Sequence, residues 1–173
     1  IYGGVGVIVT SAERGRDLKQ PPVYIRGFAQ GHNHDTGQAD HDPYIHTAGA
    51  ISAPRALAMA GAKVSDVSQC QIYDCYTYTV IVTLEDYGFC EKGEGGQFVA
   101  DGHLGPGGAL PTNTGGGELS SFYMWGMTPV SEAVIQGRGL GGERQAPNDL
   151  IMVSGNGGVL AYHSTLVLSP EAA

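Results

Sequence analysis

The chain has 173 residues, with 9 Lys and Arg against 17 Asp and Glu and a formal net charge of -8. That balance leaves no general basic face for nucleic-acid phosphates or an anionic membrane, and no run of about 18 apolar residues could span a bilayer. The length suits one well-filled core, and with nothing resembling a secretory signal the expectation is a soluble, cytoplasmic protein without stable membrane insertion. Three cysteines, Cys70, Cys75 and Cys90, are too few and odd in number for a disulfide framework, and read as structural thiols in a reducing compartment. The 28 glycines gather at 93–96, 105–108, 115–117, 137–142 and 155–158, where turns or close backbone approach are expected, so a loop-rich active face should sit on a regular scaffold.

Residues 3–10 (G-G-V-G-V-I-V-T) form an apolar, β-branched run bounded by glycine, the pattern of a buried strand. The chain opens at Ile1 inside what reads as a strand, without an initiating Met or a leading helix, so it is expected to be one part of a longer polypeptide. Ser11 is placed to cap a short helix through Asp17, which Gln20-Pro21-Pro22 stops. Residues 23–29 read as the next strand and run into a polar, histidine-rich loop over 31–46. Ser52, followed by Pro54 and an alanine-rich stretch to Ala60, reads as the start of a helix that Gly61 ends.

Ser65-Asp66 supports one further turn, residues 68–73 a strand and residues 77–87 a helix. The last rests on Glu85, Asp86 and Gly88 as an ending, because its β-branched content disfavours helix. After a long glycine-rich stretch, residues 128–137 read as a helix with Pro129 near its start. Strands over 150–154 and 159–168 then flank a turn at Gly155-Asn156-Gly157-Gly158. The sum is an α/β layered fold ending in a hairpin with an antiparallel edge, without internal repeats or a low-complexity linker.

Two glycine-bounded motifs carry tyrosines: Tyr73-Asp74-Cys75-Tyr76, and N-T-G-G-G-E-L-S-S-F-Y over 113–123. Between them lies Glu85-Asp86-Tyr87-Gly88-Phe89. In order and spacing these segments resemble the sterol-carrier and lipid-transfer branch of the thiolase superfamily, whose members have an H-D-C-F-like strand end, an acidic helix end and an N-T-x-G-G motif. The resemblance covers nearly the whole chain and implies a thiolase-like layered fold, with residues 1–30 ending an N-terminal half and residues 31–173 forming a C-terminal half with an inserted polar loop.

Departures from the family pattern direct the function. Such thiolases place G-H-P shortly after N-T-x-G-G, with His handling the proton of a nucleophilic Cys; here the segment is Phe122-Tyr123-Met124. Tyr73 stands where a His or Asn helps form the oxyanion site, and Ser154-Gly155-Asn156-Gly157-Gly158 stands where degradative thiolases carry a second Cys. Related thiolases have a Cys at the position of Cys75 beside a separate catalytic one, so Cys75 is not taken as the nucleophile.

These substitutions look like those of the steroid side-chain-cleaving aldolases of bacterial sterol catabolism. That resemblance implies retro-aldol cleavage of a β-hydroxyacyl-CoA to a ketosteroid and a short acyl-CoA, propionyl-CoA being expected. It also implies homodimerisation of the thiolase-like subunit, a missing N-terminal thiolase-like half and an acyl-CoA-binding DUF35-type partner. A local basic site for a CoA phosphate is compatible with the acidic composition.

A retro-aldol step needs a base on the β-hydroxyl and stabilisation of a thioester enolate, but no acyl-enzyme. Phenols, with an ordinary pKa of about 10, are strong donors and become bases only where their anion is held. By position Tyr123 is expected to accept the hydroxyl proton and Tyr73 to act as enolate donor or acid, with exchanged roles as the alternative. No metal or redox cofactor is expected, CoA being part of the substrate.

His32, His34, Asp35, His41, Asp42 and His46 match no compact zinc spacing, so their loop is read as a polar rim that places His46 or Asp42 against substrate. Asp74, Gly157 and Gly158 are further candidate substrate contacts, the glycines through backbone N–H groups that a tight hairpin would equally require. His163 follows Tyr162 on the last strand, where alternation points the two to opposite faces and His163 reads as structural. Two other functions remain open: a thiolase using a Cys in a missing half, for which His would be expected at position 123, and a non-catalytic lipid or acyl-CoA carrier, which would tolerate loss of both hydroxyls.

Overall fold

The computed structural model describes residues 3–32, 45–158 and 160–172. In chain order its elements are α1 (Ala12–Arg16), β1 (Tyr24–His32), α2 (Gly49–Ala60), β2 (Gln69–Gln71), α3 (Thr77–Tyr87), α4 (Gly95–Ala100), α5 (Gly117–Ser120), α6 (Met127–Gly137), β3 (Ile151–Gly157) and β4 (Tyr162–Ser169). Short 3₁₀ turns lie at Val64–Asp66 and Gly142–Arg144.

The strands form one sheet in the order β1-β4-β3-β2. β4 is antiparallel to both β1 and β3, whereas β2 runs parallel to β3 with Gln69 opposite Ile151 and Gln71 opposite Val153. The hairpin expected at the end of the chain therefore lies in the middle of the sheet, and β1 supplies the antiparallel edge. β1 runs across position 30 and stays paired with β4 to His32.

Each face of the sheet carries its own apolar cluster. On one side Ala53, Ala56 and Leu57 of α2 and Leu84 and Tyr87 of α3 pack against Ile72, Met152 and Val167. On the other, Ala133 of α6 packs with Ile151, Val153 and Leu168. Burying a Leu or Ile side chain contributes about 1.5–3 kcal/mol, so α2 and α3 are held chiefly by this layer. The helix over strand β1 comes so close that a Cβ at Gly27 would overlap the Ala56 carbonyl, which requires glycine there.

The short helix capped by Ser11 forms, its side chain accepting from Arg14 N–H. α3 forms over the expected span despite its β-branched residues. Gly88 ends it at φ 83°, its N–H turned to the Glu85 and Leu84 carbonyls.

Three expectations are corrected. Residues 3–10 form no strand: Ile8 is 88% and Val9 73% exposed, and no ladder partner is present among the described residues. The helix read from Ser52 begins at Gly49, because Thr47 Oγ1 accepts Gly49 N–H at 2.9 Å while Ser52 Oγ is buried against Thr165 Oγ1 at 2.7 Å. Pro54 is thus inside the helix. Finally, β3 continues through Gly155, Asn156 and Gly157, so the hairpin turns beyond them. Among the described residues no helix is long and apolar enough to cross a membrane.

Candidate active site

The end of β2 and the N-T-G-G-G loop are stitched together, which brings the two tyrosine motifs to one place. Thr112 bridges to Cys70 in parallel, Asn113 N–H donates to the Cys70 carbonyl at 3.0 Å, and Ile72 N–H donates to Asn113 Oδ1 at 2.7 Å. Asn113 holds φ 53°, a left-handed conformation that Asn tolerates better than most residues. Thr114 Oγ1 accepts from Gln71 Nε2 at 3.0 Å and donates to Glu132 Oε1 at 2.8 Å, tying the loop to α6. Burial opposes ionisation of Glu132, but hydrogen bonds from Arg144, Gln136 and Thr114 outweigh it and hold the acid below its ordinary value.

Within this frame the hydroxyls of Tyr73 and Tyr123 meet at 2.9 Å, their rings edge to face with centroids 6.3 Å apart. Tyr73 is 7% exposed and Tyr123 50% exposed, so one phenol of the pair is buried and the other is open. Burial first, and then the hydrogen bond with Tyr123, push the Tyr73 phenol above its ordinary pKa, so Tyr73 keeps its proton.

Both backbones are pinned. Tyr73 N–H donates to Ser154 Oγ at 3.1 Å, and the Thr79 hydroxyl donates to the Tyr73 and Tyr76 carbonyls at 3.1 and 2.7 Å. Thr128 Oγ1 accepts Met124 N–H at 2.8 Å and donates to the Phe122 carbonyl at 3.1 Å, bracketing Tyr123 from both sides. The holding roles of Ser154, Thr79 and Thr128 escaped the sequence reading, since a lone hydroxyl residue carries no motif for such a contact. The nearest signal for Thr128 was Pro129 at a helix start.

A cavity of about 410 Å³ opens beside Tyr73, lined also by Trp125, Asn156, Gly157, Tyr162 and His163. Trp125 is 72% exposed and has φ 49°, an unusual conformation for a bulky residue. Gly157 therefore lies where a substrate oxygen could reach it, whereas Gly158, at φ 56°, is packed against the Tyr162 ring and does not line this cavity. His163 is buried as expected, with Nε2 2.9 Å from the Tyr87 hydroxyl and Tyr162 on the opposite, exposed side. Burial drops its pKa to about 4, so the imidazole is neutral.

Asp74 and His46 are placed differently from the expectation of substrate contact. Asp74 is 5% exposed and its carboxylate accepts the N–H groups of Glu118 and Leu119 at the start of α5. His46 sits away from this cavity, with Nδ1 3.0 Å from Asp86 Oδ1, which also takes Lys92 at 2.7 Å. Burial pushes the Cys75 thiol up, which disfavours a thiolate nucleophile. Of the polar-loop residues weighed as metal ligands, His34, Asp35, His41 and Asp42 lie outside the described residues. Among the described residues no three His, Cys, Asp or Glu side chains converge on a metal position.

A family model described as thiolase C-terminal domain-like matches residues 29–170. The chain belongs to the thiolase C-terminal-like family. It is 36% identical over 173 residues to a steroid side-chain-cleaving aldolase of Thermomonospora curvata, a match spanning 98% of this chain and 44% of that protein. It is 38% identical over 165 residues to the 17-hydroxy-3-oxo-4-pregnene-20-carboxyl-CoA lyase of Mycobacterium tuberculosis, spanning 91% of this chain and 42% of that protein. A solved structure described as an Ltp2-ChsH2(DUF35) aldolase superposes with a TM-score of 0.84 at 34% identity, covering 91% of this chain and 42% of that one. The chain thus spans less than half the length of these relatives, and within this thiolase-like unit the tyrosine pair occupies the meeting point of β2 and the N-T-G-G-G loop.

Proposed function

We propose that this chain supplies the acid–base pair of a carbon–carbon lyase, a retro-aldolase acting on the β-hydroxyacyl-CoA side chain of a steroid. The observation that carries the reading is the 2.9 Å contact between the Tyr73 and Tyr123 hydroxyls beside a cavity, where a working thiolase would need a His. The similarity to proteins described as an aldolase and a CoA lyase supports the same chemistry.

In the proposed step the open Tyr123 oxygen, as phenolate, takes the β-hydroxyl proton. The carbon–carbon bond breaks, the hydroxyl carbon becomes the ketone, and the electron pair passes into the thioester enolate. Tyr73 supplies the hydrogen bond and then the proton that converts the enolate into the short acyl-CoA, propionyl-CoA by resemblance. Tyr123 returns its new proton across the 2.9 Å contact and the pair is restored. Gly157 is offered as a backbone donor to the thioester oxygen, and Asp74 as a positioning group. No electrons leave the substrate, so no redox cofactor is called for; the Tyr73 hydroxyl and the Gly157 N–H are proposed to hold the enolate charge in place of a metal, and CoA enters as part of the substrate.

The working unit is proposed to include an N-terminal thiolase-like half, a second copy of the thiolase-like subunit and an acyl-CoA-binding DUF35-type protein, in the cytoplasm. Exposed apolar side chains, Ile8, Val9, Phe28 and Trp125 among them, are the surface such neighbours would cover. The test is product analysis in that complete assembly. Incubation with a β-hydroxyacyl-CoA steroid should release a ketosteroid without added CoA, and chelation should not slow it. Thiolysis of a β-ketoacyl-CoA by free CoA in place of that cleavage would assign the chain to the thiolases instead.

A further inference from the structure

The two tyrosine segments are joined by a second contact, between two acids. Asp74 N–H donates to Glu118 Oε2 at 2.8 Å, and Glu118 N–H donates to Asp74 Oδ1 at 2.7 Å. Each residue thus gives its amide to the other's carboxyl group, and Leu119 N–H adds a longer bond to Asp74 Oδ2 at 3.5 Å. Asp74 adjoins Tyr73, and Glu118 lies in α5, which ends three residues before Tyr123. Both acids are nearly fully buried, and none of the ion pairs among the described residues includes either. Glu118 Oε1 is buried without a hydrogen-bond partner, a costly state for a carboxylate oxygen.

Gly117 makes this approach possible. It holds φ 60°, and a Cβ there would overlap the Asp74 carboxylate. The loop has therefore given up a side chain to let an acid reach its backbone.

We propose that Glu118 is a positioning residue for the Tyr73–Tyr123 pair, locking the two tyrosine segments together through its reciprocal clamp with Asp74. The catalytic consequence rests on the retro-aldol reading; the clamp itself does not. Two facing buried carboxylates repel, so the clamp holds best with one proton on the pair. Burial, and then Asp74, push the Glu118 acid up to about 8, so the pair holds one proton at neutral pH. The titratable groups facing Glu118 are Asp74, Tyr73 and Cys75, while Glu132 on α6 is bound to Arg144.

The test compares Glu118→Gln with Glu118→Ala in the complete, active assembly. Gln has the shape and hydrogen-bonding groups of a protonated Glu, so it should keep kcat within about threefold of wild type and abolish a loss of kcat that wild type shows as pH passes about 8. Ala should lower kcat by about 10- to 100-fold with KM nearly unchanged, the size of effect expected when reacting groups drift by about 1 Å. Amide hydrogen exchange over residues 113–123, read without substrate, should rise in the Ala variant and not in the Gln variant. Exchange in the Ala variant equal to wild type, or a Gln variant as impaired and as loose as Ala, would overturn the clamp. If wild type cleaves no carbon–carbon bond the retro-aldol reading falls, and the exchange contrast still decides the clamp.

Discussion

Tyr87 and the Tyr73–Tyr123 pair are chemically alike and structurally opposite. Tyr87 is 3% exposed, and its hydroxyl pairs with Thr165 Oγ1 at 2.8 Å and His163 Nε2 at 2.9 Å, themselves buried. Tyr73 is also buried, though closer to the surface, and its hydroxyl meets Tyr123, half of whose surface is open. Burial raises the phenols of both Tyr73 and Tyr87, so titration does not separate them. What separates them is the exposure of the partner: Thr165 and His163, both buried, for Tyr87, and the half-open Tyr123 for Tyr73. A hydroxyl whose partners are all buried fixes structure, and one whose partner is open to solvent can pass a proton to a ligand.

The largest effect that would sharpen this contrast is on turnover. Tyr73→Phe should lower carbon–carbon cleavage by about 10²–10⁴-fold, roughly 3–5 kcal/mol of barrier, while Tyr87→Phe leaves kcat within about threefold. Equal losses in the two variants would erase the distinction.

Next in size is Gly117→Ala, where a left-handed backbone and a Cβ against the Asp74 carboxylate should together cost about 2–5 kcal/mol of stability in denaturant titration. Tyr87→Phe should cost about 1–3 kcal/mol, because His163 Nε2 loses its partner in the core. A Tyr87→Phe protein as stable as wild type would contradict the structural role. Thr128→Val, which removes the bracket on the segment of Tyr123, should lower kcat by about tenfold, or about 1.4 kcal/mol.

The last contrast, read within the wild-type protein, is a pair of opposed slopes in stability against pH. His163 has a folded pKa of about 4, below its ordinary 6.5, so its contribution is complete above 6.5 and is lost as pH falls toward 4. Glu118 is shifted the other way, from 4.5 to about 8, so its contribution is complete below 4.5 and is lost as pH rises toward 8. His163→Gln should flatten the first slope and Glu118→Gln the second. An unchanged profile in either variant would show that the group does not titrate as assigned.

Much of the frame was legible because local chemistry sets it. α3 could be placed from Gly88 and the acidic residues before it, and β4 from the alternation that puts Tyr162 outside and His163 inside. The N-terminal run misled for a physical reason: a β-branched stretch becomes a strand only where another strand completes its ladder, and none lies beside residues 3–10 among those described. α2 misled because Ser52 has the chemistry of a cap but is drawn into the core by Thr165. Tyr73 and Tyr123 were visible through their motifs, 50 positions apart. The residues that hold them, Ser154, Thr79, Thr128 and Glu118, were not, because their roles consist of single bonds to distant backbone groups.

The central claim is that Tyr73 and Tyr123 act as one unit, and a double-mutant cycle on cleavage rate in the complete assembly tests it most directly. If the pair shares one proton pathway, Tyr73→Phe and Tyr123→Phe should each lower kcat by about 10²–10⁴-fold, and the double variant should be little worse than the poorer single one. Losses that multiply in the double variant, or a single variant that keeps wild-type cleavage, would contradict it.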